Sequence, residues 1–313
     1  RDFELASELE AVAATSGVFA RPGRVKAGLT GLAKGQSLLV SLFDSAPLHA
    51  WVKRTLAERP ISSVVAYSAQ MAHFVPPLPA GTGFLMDFVD FDSAKYAAYG
   101  RAQHGPMGWI NRREGRLLFD FEREVAARAG LCTFVSEAEA ALFRDAAGFD
   151  AGKVRAIENG VALDSFSPDA AFERLTAVER GTGPLIVFTG QMDYRPNIEA
   201  VRSFAAEALP LIRQVQPDAR FAIVGRNPAK TVTALEAQPG VLVTGAVPDV
   251  RGWLAAADVV VAPLRIARGI QNKVLEAMAM ARPVVASREA AEGIDAEADK
   301  HLLVADTPGE EAG

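Results

Sequence analysis

The residues best suited to chemistry lie within 265–281, where Gly269 precedes a helical pattern that carries a lysine and a glutamate. Free backbone N–H groups at a helix start, together with the helix dipole, form an anion site. Lys273, one turn into the helix, would add a positive charge suited to a diphosphate. Glu276 lies on an adjacent part of the same face, and its carboxylate could accept two hydrogen bonds from the hydroxyls of a ribose. The alternative is a surface ion pair between Lys273 and Glu276.

Glycines follow three of the predicted strands and point to a crevice. Ligands of open parallel α/β sheets bind outside the carboxyl ends of the strands. One glycine there is usually only a turn, but repetition at one sheet edge favours a place where backbone approaches a ligand. The three are Gly190 after strand 185–189, Gly225 (followed by Arg226) after strand 220–224, and Gly245 after strand 241–244.

From about residue 183 the chain alternates short apolar strands with helical patterns. Strands that are apolar throughout and separated by helices predict a parallel sheet covered on both faces, which gives a doubly wound α/β domain. Further strands are predicted at 258–262 and 283–286, and the apolar period of 198–215 predicts one continuous helix.

The first half shows the same alternation less regularly. A linker rich in glycine and proline over 159–183 separates the halves, and we place the domains at 1–168 and 169–313. Because the sequence starts at Arg1, we expect it to be a fragment that lacks a first glycine-rich strand, with the second domain also truncated at its end. The predicted strands of this half are 63–67, 84–89, 131–135 and 154–157, with helices at 47–58 and 137–147.

Composition excludes several classes of protein. At ~150 residues per domain, 313 residues suggest two domains. The single Cys132 excludes a disulfide framework and a cysteine-ligated zinc site. The net charge of −5, with no strongly basic excess in either half, argues against nucleic-acid binding. Since no apolar run reaches the ~18–20 residues needed to cross a bilayer, we expect a soluble protein.

Other groups could hold a metal, but their patterns are weak. Asp90-Phe91-Asp92 forms a D-x-D pattern, in which two nearby carboxylates could coordinate a divalent cation, but alternate carboxylates after a strand often occur by chance. The alternative is that Asp87 or Asp90 approaches a substrate hydroxyl. Histidines 49, 73, 104 and 301 show no metal-ligand spacing, and we predict turn or core roles for them and no metal site.

A long helix is predicted over 107–129, with one apolar stripe and five arginines between Arg112 and Arg128. One interpretation is a solvated face on which glutamates, including Glu114 and Glu122, alternate with the arginines. The other is a basic surface that contacts anionic lipid or a lipid-diphosphate acceptor.

Motifs over most of the chain after residue 84 resemble the retaining glycosyltransferases of family 4, which have the GT-B fold of two Rossmann-like domains facing a cleft. Within that family, they resemble the sugar transferases of exosortase (PEP-CTERM) exopolysaccharide loci. The general motifs are ENGVALDSFSP (158–168), VFTGQMDYRPN (187–197), VTGAVPDVRGWLAAADVVVAPL (243–264) and NKVLEAMAMARPVVAS (272–287). The narrower ones are DFVDFDS (87–93), GPMGWINRREG (105–115), FVSEAEA (134–140) and RIARGIQNKVLEAMA (265–279).

The resemblance implies a nucleotide-diphosphate sugar donor in the second domain and an acceptor in the first. Glu276 corresponds to the glutamate that binds the donor ribose, and many members carry a second glutamate where this chain has Arg268. Preorganised amides with Lys273 and Arg268 would stabilise the leaving diphosphate without a metal or other cofactor, while Asp87 would face the acceptor. The resemblance also implies donor contacts for Gly269 and Ile270 at the diphosphate, Val247 at the base, and Arg195, Gly190, Gly225, Arg226 and Gly245 along the crevice.

The leading hypothesis is a cytoplasmic transferase, peripheral at the inner membrane face through the Arg112–Arg128 helix, that acts on a polysaccharide or lipid-linked exopolysaccharide intermediate. A nucleotide-sugar epimerase of the same fold would need acid and base side chains around the sugar. A non-catalytic two-lobed sugar-binding protein would have no use for Lys273 and Glu276 at a helix start.

Overall fold

The computed structural model describes residues 10–267 and 269–313 of the chain. Two compact units divide between Ile157 and Glu158, so the sequence-based boundary at 168 falls inside the second unit. Each unit contains one sheet whose neighbouring strands are all parallel.

The first unit has a four-stranded sheet in the order β1-β2-β3-β4. Its core contains several phenylalanines, and the rings of Phe88 and Phe134 stack with their centroids 5.2 Å apart. The elements are α1 (Arg24–Ala33), α2 (Leu38–Phe43), α3 (Ala46–Glu58), β1 (Ser63–Tyr67), a 3₁₀ turn (Ala69–Phe74), β2 (Gly83–Val89), α4 (Asp92–Ala102), α5 (Gly105–Arg128), β3 (Leu131–Phe134), α6 (Glu137–Ala147) and β4 (Val154–Ala156).

The second unit has a six-stranded sheet in the order β10-β9-β8-β5-β6-β7. From the β7 edge this is the 3-2-1-4-5-6 order of a Rossmann sheet, which reverses direction between β5 and β8. The elements are α7 (Ala177–Arg180), β5 (Leu185–Thr189), α8 (Arg195–Ser203), a π-helical turn (Phe204–Ala208), α9 (Leu209–Val215), β6 (Arg220–Val224), α10 (Lys230–Thr233), a 3₁₀ turn (Ala234–Ala237), β7 (Val241–Gly245), α11 (Arg251–Ala256), β8 (Val259–Ala262), α12 (Asn272–Ala279), β9 (Val284–Ala286), α13 (Arg288–Ala291), β10 (Leu303–Val304) and α14 (Pro308–Ala312).

Every strand predicted from the sequence is present, with each end within one residue of its predicted position. The predicted continuous helix over 198–215 is wrong in one respect, because a π-helical turn interrupts it. Pro210 lacks the N–H that a regular helix would use at that position, and Leu209 N donates to Phe204 O, five residues back. The proline thus explains a wider turn that hydrophobic periodicity alone does not reveal.

The long helix α5 corrects the prediction of a face with solvated glutamates. Glu114 and Glu122 are 2% and 1% exposed. The Glu114 carboxylate accepts hydrogen bonds from Leu38 N and Leu39 N, each at 2.8 Å, and so caps the start of α2. Glu122 accepts from Ser93 N at 3.2 Å at the start of α4. Both carboxylates therefore join α5 to neighbouring helices, while the arginines of α5 lie towards solvent or contact backbone carbonyls.

Candidate functional site

The carboxyl ends of β5, β6 and β7 meet at one edge of the second sheet. Gly190 N donates to Val224 O at 3.0 Å, and Gly225 N donates to Gly245 O at 3.2 Å. A Cβ atom on Gly225 would lie 1.7 Å from the carbonyl oxygen of Gly190, so no larger residue fits between these strand ends. Gly245 has a φ of 68°, in the left-handed region that favours glycine. The three glycines thus form the closely packed backbone edge that the sequence predicts.

Lys273 extends from α12 to the end of β5. Its Nζ donates to Asn197 Oδ1 at 2.7 Å and lies 4.1 Å from the centroid of the Phe188 ring. A Cβ atom on Gly190 would lie 3.2 Å from the same nitrogen. Burial lowers the pKa of Lys273 to about 7, although the charge of Glu276 acts in the opposite direction. The amine therefore lies next to the crevice, where burial removes the water that would stabilise its charged form.

Asn197 is the site residue that the sequence argument did not identify as functional. It lies in the first turn of α8 and is 6% exposed. Its Nδ2 donates to Gln191 O at 2.9 Å, which leaves Oδ1 as the acceptor for Lys273. The Arg-Pro-Asn sequence that begins five residues after Gly190 is the available signal, but in it the resemblance points only to Arg195.

The alternative of a surface ion pair between Lys273 and Glu276 is not what the structure shows, because no contact within 4.0 Å joins their charged atoms although the structure describes both residues. Burial raises the pKa of Glu276, and the charge of Lys273 partly opposes this shift. A half-buried carboxylate without that salt bridge can accept hydrogen bonds from a polar ligand.

The loop before α12 contains a glycine in the left-handed backbone region. Gly269 has a φ of 66°, and Ile270 is 9% exposed. Asn159 Nδ2 donates to Asn272 Oδ1 at 3.3 Å, which connects the segment after the unit boundary to the helix start. The candidate Arg268 lies outside the described residues.

The other predicted donor contacts lie at separate places along the edge. Arg226 O accepts a hydrogen bond from Met192 N at 2.9 Å, so the backbone of Arg226 supports the turn after β5. Arg195 Nε donates to Glu199 Oε1 at 2.7 Å on the exposed surface of α8. Val247 lines a groove of about 600 Å³ beside β7. The structure therefore brings Gly190, Gly225, Gly245 and Lys273 together, and leaves the guanidinium of Arg195 in a surface ion pair.

Asp87 lies at the end of β2 in the first unit. Its Oδ1 accepts a hydrogen bond from Val89 N at 3.0 Å, and its carbonyl oxygen accepts one from Ser68 N at 2.7 Å. Val89 and Ser68 have φ values of 68° and 71°, which are unusual for residues other than glycine. Such strained conformations concentrate at functional sites. The carboxylate of Asp87 thus supports a strained turn at the carboxyl ends of β1 and β2.

The D-x-D pattern is an ion-pair cluster in this structure. Asp90 and Asp92 both contact Lys95 Nζ, and Asp92 begins α4. Burial raises the pKa of Asp92, and the charge of Lys95 lowers it in part. Lys95 therefore supplies a positive charge to both carboxylates.

The chain is similar in sequence to known proteins over part of its length. Residues 183–312 match the family model described as glycosyl transferases group 1. The same half of the chain therefore holds both the matched domain and the site around Lys273. Over 134 residues the chain is 32% identical to a phosphatidyl-myo-inositol mannosyltransferase of Propionibacterium freudenreichii, an alignment that covers 42% of this chain and 32% of the relative. The chain thus spans about a third of that curated relative.

Solved structures match over both units. The Anabaena protein Alr3699/HepE, solved with UDP-glucose, matches with a TM-score of 0.64 at 15% identity, over 98% of this chain and 76% of that one. Sucrose-phosphate synthase of Thermosynechococcus elongatus matches with a TM-score of 0.61 at 18% identity, over 88% and 65% of the two chains. At such identities the likeness shows the fold, and the predicted α/β GT-B fold class with two Rossmann-like units is confirmed.

Among the described helices, none combines the length and the apolar character that a bilayer crossing requires. Met107 and Trp109, at the start of α5, are 57% and 56% exposed. Neither observation tests the predicted lipid contact of the Arg112–Arg128 helix, which stays a prediction.

Proposed function

We propose that the protein transfers a sugar, with retention of anomeric configuration, from a nucleotide-diphosphate sugar to a lipid-linked exopolysaccharide intermediate. The observation that carries this proposal is the amine of Lys273, held on Asn197 at the carboxyl end of β5. This position lies beside the reversal of strand order between β5 and β8, where Rossmann sheets bind nucleotides. The likeness to a protein solved with UDP-glucose supports the donor class.

The chemistry follows from the charge that develops on the diphosphate. As the bond between sugar and phosphate breaks, negative charge grows on the leaving oxygen. The ammonium of Lys273 and the first amides of α12 would stabilise this charge, and groups fixed in advance cost no reorganisation during the reaction. Glu276 would hold the ribose hydroxyls. This donor site needs no metal ion for the departure of the diphosphate.

Two parts of the proposal rest on the sequence motifs. Retention is supported by the resemblance of 272–287 to retaining enzymes. The lipid-linked acceptor is supported by the narrower resemblance within 87–115, and by the name of the mannosyltransferase relative, whose substrate is a phosphatidylinositol. The exposed arginines of α5 would face an anionic lipid or lipid diphosphate.

Calorimetric titration with UDP-, GDP- and dTDP-sugars tests the donor site. We expect one class of nucleotide sugar to bind, and Lys273→Met and Glu276→Ala to weaken it. Lys300→Met is a matched control, because Lys300 is exposed, pairs with Glu297 and precedes β10 at the opposite end of the parallel sheet. Absence of binding by all three classes would refute the proposal, as would equal affinities of the wild type and Lys273→Met.

Two further assays test the reaction and the acceptor. When the nucleotide sugar that binds is used as the donor, NMR should show that the transferred sugar has the same anomeric configuration in the product as in the donor. Conversion of the nucleotide sugar in the absence of an acceptor would instead indicate an epimerase. Flotation with anionic liposomes should carry the wild type but not a variant with Arg112, Arg113 and Arg116 changed to Glu. Equal flotation of both proteins would indicate that these arginines form an ordinary solvated face of α5.

A further inference from the structure

Three side chains with metal-binding atoms converge in the first unit, whereas the candidate donor site belongs to the second. Asp44 directly follows α2, His49 lies in the first turns of α3, and His73 lies in the 3₁₀ turn after β1. The Nε2 atoms of His49 and His73 lie 3.1 Å and 3.2 Å from Asp44 Oδ1. The three ligand atoms lie within 4.8 Å of one another. The sequence spacing of these histidines did not reveal this group, because it forms only when a helix and a 3₁₀ turn pack together.

The packing around the imidazoles fixes their directions. The two rings meet edge to face with centroids 4.8 Å apart, and the ring of Phe74 lies 4.6 Å from that of His49. The side chains of Asp44, His49 and His73 are 35%, 38% and 25% exposed. The group is thus packed on one side and open on the other, so that an ion can enter and keep a coordination position for water or a ligand oxygen.

We propose that Asp44, His49 and His73 bind a divalent transition-metal ion of the zinc class. Two imidazoles and one carboxylate with an open position are the donor set of many zinc sites. Ligand atoms about 2.1 Å from a tetrahedral ion are about 3.4 Å apart, close to the two observed separations. The ion would take the place of the protons now shared with Oδ1, and each neutral imidazole would carry its hydrogen on Nδ1 instead.

One oxygen of the Asp44 carboxylate faces both imidazoles. Among the charged groups described near it, the carboxylate has these two imidazoles as its ion-pair partners.

The position of the group also suits a ligand site. His73 follows the carboxyl end of β1, five residues after Ser68, whose φ of 71° marks a strained turn. Ligands of α/β sheets bind beyond this end of the strands. A bound ion would also tie α3 and the segment after α2 to the turn that follows β1.

Metal titration of the tag-free, chelator-treated full chain tests the site. Cobalt(II) is the probe, because its visible absorption reports a site of low coordination number with nitrogen ligands. We expect one equivalent to bind, zinc to displace it, and His49→Ala, His73→Ala and Asp44→Asn each to weaken binding by more than about 100-fold. His301→Ala is the matched control, since His301 is exposed and accepts a hydrogen bond from Glu297 N in the other unit.

His73→Asn separates metal binding from a structural role, because the amide can still donate to Asp44 but is a poor zinc ligand. Circular dichroism should show a folded variant that no longer binds cobalt. Absence of cobalt or zinc binding by the wild type would overturn the proposal and leave a carboxylate bridged by two imidazole N–H groups. Binding that survives in both histidine-to-alanine variants would also overturn it. Neither outcome depends on nucleotide-sugar binding in the second unit.

Discussion

Donor affinity should fall as pH rises, because Lys273 must be protonated to hold a diphosphate. Burial beside Phe188 brings the pKa of this amine to about 7 in the free protein. A bound diphosphate stabilises the ammonium, so binding at high pH includes the free-energy cost of protonating the neutral amine. For a pKa of about 7, the apparent dissociation constant rises about tenfold between about pH 6 and about pH 8.

Calorimetry in two buffers of different ionisation enthalpy measures this effect as proton uptake. At about pH 8 we expect about 0.9 proton to be taken up per nucleotide sugar, and at about pH 6 only about 0.1 proton. A nucleotide sugar is the suitable ligand, because both of its phosphates are esterified and keep a constant charge over this range.

Substitutions of Lys273 assign the uptake to one group. Lys273→Met should abolish the uptake and weaken binding at about pH 6 by about 10- to 150-fold, which corresponds to about 1.5–3 kcal/mol for a charge-assisted hydrogen bond. Lys273→Arg keeps a permanent charge, so its affinity should not depend on pH. Lys300→Met should behave as the wild type. Equal proton uptake by the wild type and Lys273→Met, or none by the wild type at about pH 8, would refute the reasoning.

Three further predictions follow from the packing. Asn197→Asp places a carboxylate 2.7 Å from the lysine amine and should raise that amine's pKa, so proton uptake at about pH 8 should disappear in the same calorimetric assay. Gly225→Ala should lower the free energy of unfolding in urea by more than about 2 kcal/mol, since its Cβ would lie 1.7 Å from a carbonyl oxygen; Gly28→Ala, in open space on α1, is the control and should stabilise by up to about 1 kcal/mol. Burial raises the pKa of Glu122 to about 8 from 4.5, so the folded state binds more protons than the unfolded state between these values and stability should decline as pH rises through this window. Glu122→Gln should remove that dependence, and an unchanged pH profile of its urea midpoint would contradict the assignment.

Much of the second unit could be predicted from local sequence. Apolar strands and helical periods depend on neighbouring residues, so β5 and β6 begin and end where the sequence places them. The glycines after these strands were expected at a single edge, because the carboxyl ends of parallel strands lie together. Lys273 and Glu276 were expected on one helix for the same local reason.

The partner of Lys273 depends on the tertiary structure. The sequence favoured neither Glu276 nor a ligand, whereas the folded chain brings in Asn197, 76 residues away. The two helices that carry Lys273 and Asn197 meet only because the sheet order sets β5 beside β8. Periodicity carries no information about such a contact.

The buried carboxyl groups of α5 in the first unit also depend on tertiary contacts that local sequence does not reveal. The alternation of arginine and glutamate along α5 indicates a solvated face, because the sequence cannot show which helix starts need a carboxylate. Glu114 and Glu122 are buried since the free amides of α2 and α4 point at them. The convergence of His49 and His73 on Asp44 likewise needs α3 to pack against the 3₁₀ turn that follows β1. The sequence by itself therefore determined the elements and the crevice glycines, while the tertiary structure decided which charges meet, because that depends on packing between segments distant in the chain.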